Sequence, residues 1–235
     1  MNARHRLKIL IESALGVRFY RNLPHGIEYR VDIARCGFTP KIVLDVGANE
    51  GQAAMSILEA FPGAEIHCFE PVAETFERLR RNVGSQGCRC MQQAVGRAVG
   101  NATIHVAANS LTNSIVHKSP GSTEQAVIVT TVDAYAAERC MQSIDLLKID
   151  TEGFELDVLA GAERCFAEQI VRFVLIEAGF HFSGHEHVRY EQIHEHLKCR
   201  GFELFGFYNQ TRCWSGATRL RFADALFAHT STVAD

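Results

Sequence analysis

Ile42-Val43-Leu44-Asp45-Val46-Gly47-Ala48-Asn49-Glu50-Gly51 is the stretch around which this chain is organised. Ile42 to Val46 is a short apolar run broken only by an acid near its end, the pattern of a parallel strand buried on both faces. Small and turn-forming residues follow, with glycines at 47 and 51 and Asn49 between them. Gln52 to Phe61 then sets Ala53, Met55, Ile57, Leu58 and Phe61 at helical spacing and stops at Pro62-Gly63. Strand, glycine turn and helix in that order predict a nucleotide-binding corner. Glycines without a Cβ would let a ligand approach the backbone, and the helix N-terminus presents free N–H groups.

Which ligand the corner suits follows from its details. A dinucleotide fingerprint places glycines as G-x-G-x-x-G, whereas here the pattern is Gly47-x-Asn49-x-Gly51. Asp45 would repel a pyrophosphate but suits a ligand with a positive end, such as the amino group and sulfonium of S-adenosylmethionine. Further on, Ala64-Glu65-Ile66-His67-Cys68-Phe69-Glu70-Pro71 reads as a second strand ending in an acid. A carboxylate at that place can accept hydrogen bonds from both hydroxyls of a ribose.

The whole-chain properties are consistent with one α/β domain. The chain has 235 residues, 47% of them hydrophobic, enough for one sizeable core and too few for a second full domain. A net charge of −3 leaves no overall electrostatic footprint for nucleic acid. The eight cysteines form no C-x-x-C pair and several sit in apolar runs, so with no signal peptide before them they are expected to be reduced thiols of a cytoplasmic protein. No apolar run reaches the roughly 18–20 residues needed to cross a bilayer.

Residues 1–26 mix arginines and a lysine (Arg4, Arg6, Lys8, Arg18, Arg21) with Leu7, Ile9, Leu10 and Ile11, an amphipathic helical cap. Its basic face is expected to be solvated; docking to a partner or peripheral contact with an anionic membrane surface are the alternatives. Residues 27–235 form the catalytic domain in this reading. A short helix lies within 27–40 and another runs from Ala73 to Val83, with Phe76, Leu79 and Val83 inward. Cys88 to Val95 reads as the third strand. Ala102 to Ala107 and Ala126 to Val132 are β-branched runs that predict a β insertion between the third and fourth core strands. The polar segment Ala108 to Glu124 joins them, as a lid or an exposed loop.

The second chemical stretch is Asp145-Leu146-Leu147-Lys148-Ile149-Asp150-Thr151-Glu152-Gly153-Phe154-Glu155. Asp150 and Glu152 follow an apolar strand, at the edge where open α/β sheets bind ligands. Val171 to Glu177 is a fifth strand that also ends in an acid. Asp45, Glu70, Asp150 and Glu177 would thus gather on one rim, costly unless a ligand uses them. Residues 186–201 read as a helix, and Glu203–Tyr208 with Phe222–His229 as an antiparallel edge pair around an irregular segment containing Trp214. On that helix His187, Glu191 and His194 would share a face at metal-like spacing, but they lack a fourth ligand, so solvated histidines are expected and no metal site is assigned.

With these motifs in place, the chain resembles the FkbM-type S-adenosylmethionine-dependent methyltransferases. Val43 to Gly51, Phe69-Glu70-Pro71, Leu147 to Glu155, Val158 to Ala162, Ile176-Glu177 and Asp224 to Phe227 carry the resemblance, across about residues 27–229. It implies a Rossmann-like class I methyltransferase fold with a mostly parallel seven-stranded sheet. It implies methyl transfer to a hydroxyl of a saccharide, glycolipid or polyketide-like small molecule, and leaves the acceptor open. Thr151 departs from the family's usual Val or Ile.

Methyl transfer asks the protein to align an acceptor oxygen and remove its proton, a step for which a positioned base contributes about 10²–10⁴-fold. The candidates are Asp150, Glu152, Glu177 and His181, with Asp45, Gly47, Asn49, Gly51 and Glu70 around the cofactor. Asp150 with Glu177 could instead hold a divalent cation, though Ala178 adds no ligand. A NAD-dependent oxidoreductase and a non-catalytic binding module are the rival readings. Lys148-Ile149-Asp150 stands where a nucleic-acid amino-methylating enzyme would carry an Asn/Asp-Pro-Pro-aromatic run.

Overall fold

A computed structural model describes residues 11–17, 20, 22–106, 123–180, 187–212 and 219–232. Its main sheet has seven strands in the order β3-β2-β1-β7-β8-β10-β9. The strands are β1 (Ile42–Val46), β2 (Glu65–Phe69), β3 (Arg89–Met91), β7 (Ile144–Ile149), β8 (Val171–Gly179), β9 (Phe202–Arg212) and β10 (Leu220–His229). The first five pair in parallel, and β9 and β10 close one edge antiparallel. The strand order reverses direction at β1, so the carboxyl ends of β1, β2 and β7 meet at a topological switch point.

Alternation along the central strands builds the core. Val43, Leu146, Phe173 and Leu175 face one side, against the helices Tyr29–Arg35, Gln52–Ala60 and Ala73–Val83. Leu44, Val46, Leu147, Ile149 and Val174 face the other, against Val132–Glu138, Glu155–Ala160, Glu163–Ala167 and Tyr190–Lys198. With helices on both faces, the strands can be apolar throughout. Asp32 ties the entry segment to the far edge: its carboxylate accepts from Gly26 N at 2.7 Å and Tyr208 Oη at 3.0 Å.

The expected β insertion is a separate three-stranded sheet, β4 (Ala94–Val95), β6 (Thr123–Thr130) and β5 (Gly100–Val106), in that order. The run Cys88–Val95, read as one strand, divides between the two sheets: Arg89–Met91 pairs with β2 and Ala94–Val95 with β6. The second helical expectation is also trimmed. The helix spans Tyr190–Lys198, and His187 lies before it, so His187 does not share a helical face with Glu191 and His194. Instead Glu191 contacts Arg189 and the His194 ring stacks on Tyr190.

Residues 11–15 of the expected N-terminal cap are helical, with Ile11 and Leu15 exposed. Residues 1–10, most of the Ala108–Glu124 segment, Trp214 and His181 lie outside the described residues. Among the described residues no helix is long and apolar enough to cross a membrane.

Candidate active site

At the switch point a cleft opens over the ends of β1, β2 and β7. Gly47, Asn49, Glu70, Asp150, Thr151 and Glu152 line it together with Phe69, Val72, Ala94, Val95, Ile104 and Phe154. The insertion sheet therefore supplies one apolar wall, through Ala94, Val95 and Ile104. Five of the sequence-predicted residues share this cleft: Gly47, Asn49, Glu70, Asp150 and Glu152. Asp45, Gly51 and Glu177 are not among its lining residues.

Asp45 is fully buried and lies 3.3 Å from Lys148 Nζ, its register partner on β7. Burial pushes its carboxyl above the usual range, and the Lys148 ammonium pulls the other way. Lys148 also reaches Asp150 at 3.3 Å. Burial works against the Lys148 cation, but Asp45 and then Asp150 outweigh it and raise its pKa, so the ammonium stays charged. The acidic rim inferred from the sequence is thus partly neutralised from below.

Gly47 lines the cleft, and both glycines are also required by the packing around the turn. Gly47 has φ +77°, and a Cβ there would lie 1.8 Å from the Asp150 carbonyl oxygen. A Cβ on Gly51, at φ +93°, would lie 2.7 Å from a Val83 methyl. Both make room for neighbouring protein, which locks the two chemical stretches together; Gly51 also lets the helix Ala73–Val83 pack close. The ligand-facing atoms of the turn belong to Asn49, held at φ +47°. Its Oδ1 is buried with no hydrogen-bond partner, an acceptor aimed at nothing the protein supplies.

Glu70 is 7% exposed and accepts from Val72 N at 2.9 Å. Burial pushes its carboxyl up to about 7, against the pull of the Val72 and Asn49 amides. Two acceptors in one cleft, Asn49 Oδ1 and the Glu70 carboxylate, fit the hydroxyls and amino group of an adenosine-type ligand.

The loop after β7 is built from within. Glu155, 1% exposed, accepts from Thr151 N, Thr151 Oγ1 and Gly153 N, each at 3.1 Å. Thr151, the departure from the family pattern, therefore adds a hydroxyl donor to this buried acid. The bonds hold Glu152 at φ +53°, a conformation that non-glycine residues rarely adopt and that points to a functional constraint. Burial, then Glu177, then Asp150 push the Glu152 carboxyl up to about 8.

Sequence reasoning grouped His187 with Glu191 and His194 and missed its contact with Glu177. Its Nδ1 lies 2.8 Å from Glu177 Oε2, with the two side chains 12% and 13% exposed. Among the described residues Glu152, Glu177 and His187 are the three whose donor atoms come within 4.8 Å of one another. Asp150, paired with Glu177 in the sequence-based cation reading, is not part of that group. No local sequence signal marks His187, because its partners come from two other strand ends.

Comparison with known proteins follows this geometry. The model of the methyltransferase FkbM domain matches residues 45–204. A 2-O-methyltransferase, NoeI, of Sinorhizobium fredii is 28% identical over 153 residues, 58% of this chain and 62% of that protein. The hexuronic acid methyltransferase AglP of Haloferax volcanii is 28% identical over 138 residues, 58% of this chain and 55% of that one. The chain thus spans less than two thirds of the length of either relative. Among solved structures, the magnesium protoporphyrin IX methyltransferase of Synechocystis overlays with a TM-score of 0.46 at 11% identity, covering 96% of this chain and 81% of that one.

Proposed function

The chain belongs to the FkbM methyltransferase family, and from that premise we propose that it transfers the methyl group of S-adenosylmethionine to a hydroxyl of a saccharide or a similarly polyhydroxylated small molecule. The observation that carries the reading is the pair of acceptors waiting in the cleft, the orphaned Asn49 Oδ1 and the buried Glu70 carboxylate. Glu70 would accept from the ribose hydroxyls, with Asn49 and the Gly47 backbone beside them. The apolar wall of Ala94, Val95, Ile104 and Phe154 would cover the adenine face.

When bound, the sulfonium supplies an activated methyl group. The chain's own residues orient the acceptor, exclude water and take its proton. Asp150, Glu152 and Glu177 are the described candidates for the acceptor side, with His181 proposed beside them from sequence alone. Asp150 is matched by Lys148, which leaves the Glu152 group as the better-placed proton acceptor. Carboxylates also pair well with neutral, donor-rich sugars and repel phosphate backbones, which favours a glycan or small molecule over nucleic acid. That two relatives carry O-methyl and hexuronic acid names supports a sugar acceptor. A NAD-dependent oxidoreductase is disfavoured by the family and by the absent third glycine.

The test is incubation of the purified protein with methyl-tritiated S-adenosylmethionine and a panel of p-nitrophenyl glycosides, alongside fractionated cell extract. Label is expected in glycoside, glycolipid or other small-molecule fractions. Label confined to protein or RNA would refute the acceptor class.

A further inference from the structure

Glu152 lines the cleft, and Glu177 and His187 stand beside it outside the lining. Gly179 ends β8, and its N–H donates to Val188 O at 2.8 Å while Gly179 bridges to Arg189. A Cβ on Gly179 would lie 3.1 Å from His187 Cβ, so the glycine lets residue 187 settle against the strand. Phe222 of β10 packs on the imidazole, ring centroids 4.5 Å apart. The ring is therefore fixed by backbone, by an aromatic neighbour and by Glu177, within reach of the Glu152 carboxylate.

We propose that Glu152 is the general base of the transfer and that His187, held by Glu177, is a positioning residue whose cation keeps Glu152 able to accept the proton. The inference rests on the methyltransferase reading above and assigns a role to a histidine outside the cleft's lining. Besides burial, the groups that act on Glu152 include Glu177 of β8, Asp150 and Glu155 of its own loop, and His187. The three acids favour the protonated carboxyl and His187 opposes it. Burial disfavours the imidazolium, but contact with Glu177 outweighs it and raises the His187 pKa. With its Nδ1 2.8 Å from Glu177 Oε2, a His187 that carries a proton offsets the Glu177 charge and favours the ionised Glu152, the form that acts as a base. In the step itself the acceptor O–H gives its proton to Glu152 as the new O–CH3 bond forms. The S–CH3 bond breaks with its electron pair left on sulfur, and the proton passes from Glu152 to solvent.

Because Glu152 must be ionised to act, turnover rises with pH through its pKa. Removing the His187 cation raises that pKa and moves the rising limb to higher pH. The direct test is carboxyl-carbon NMR titration of protein labelled with [5-13C]glutamate, the Glu152 signal assigned by its loss in Glu152→Gln. The signal should titrate well above the ordinary carboxylate range, and His187→Gln should move it up by about one unit or more. On the p-nitrophenyl glycoside that the wild type methylates fastest, Glu152→Gln should lower kcat at least about 10²-fold. His187→Gln should shift the pH limb while calorimetry gives S-adenosylmethionine affinity within about threefold of wild type. A Glu152 signal in the ordinary range, or unmoved in His187→Gln, overturns the proposal, as does full turnover in Glu152→Gln. Turnover abolished by EDTA and restored by Mg²⁺ also overturns it, since the three groups would then serve a cation. If label goes only to protein or RNA, the acceptor reading fails, and the NMR titration still decides this one.

Discussion

Glu70 joins burial to ligand binding through a single proton. With its carboxyl pushed up to about 7, a good part of the free protein carries a neutral Glu70 at neutral pH. Ribose hydroxyls donate best to the anion, so binding lowers the pKa and releases a proton. The sign follows: S-adenosylmethionine affinity should be full above pH 7 and weaken by up to about tenfold per pH unit below it. Titration calorimetry in buffers of different ionisation enthalpy would read both the affinity and the proton release. Glu70→Gln should flatten the dependence and cost about 1.5–3 kcal/mol at pH 8; an unchanged affinity would remove Glu70 from the site. Lys148 is the structural counterpart. It is the cation between Asp45 and Asp150, and without it Asp45 is a charge with no exposure to water. Lys148→Met should lower stability by about 3–5 kcal/mol in urea unfolding, and Asp45→Leu with Lys148→Met should recover most of the loss.

At the scale of elements, what could be read from sequence was what lies along one strand or helix, and what could not was what lies between them. Val43-Leu44-Asp45-Val46 and Leu146-Leu147-Lys148-Ile149 announce strands by composition, and the acids at their ends announce a ligand-facing edge. That Asp45 stands across from Lys148 depends on register, which neither run encodes by itself. The same holds for His187, whose partner Glu177 sits ten positions earlier and whose seat is fixed by Gly179. Cys88 to Val95 read as one strand because both halves are β-compatible; only the competing edges of two sheets divide it. Glycine roles were visible as positions but not as contacts. Gly161 illustrates this: a Cβ there would lie 2.1 Å from the Gly96 carbonyl oxygen, where the turn between β4 and β5 crosses the end of Glu155–Ala160. Gly161→Ala should cost about 1–3 kcal/mol by overpacking. Gly63→Ala, with open space around it, should stay within about 0.5 kcal/mol. Equal effects in denaturant unfolding would show that the crossing is not tight.

On the scale of the whole molecule, two sheets meet at one cleft. The seven-stranded sheet supplies the polar floor, Asn49, Glu70, Asp150 and Glu152, and the three-stranded sheet supplies apolar Ala94, Val95 and Ile104. Val72, which follows the Glu70 strand end, packs with Ala94, Ile104, Val127 and Val129, so the insertion sheet is seated on the edge that carries Glu70. A ligand in this cleft would touch β1, β2, β7 and the insertion together, and binding should stabilise the fold as a unit. One saturating site contributes about 2.7 kcal/mol when free ligand is at 100 times its Kd. For a chain of this size each kcal/mol moves Tm by roughly 2–4 °C, so the expected shift is about 5–10 °C. NAD at the same concentration should shift Tm by less than about 1 °C, because the corner lacks the third glycine of a dinucleotide site. The comparison separates the methyltransferase reading from its oxidoreductase rival without knowledge of the acceptor. A larger shift with NAD than with S-adenosylmethionine would reverse the cofactor assignment and take the Glu70 and Asn49 roles with it.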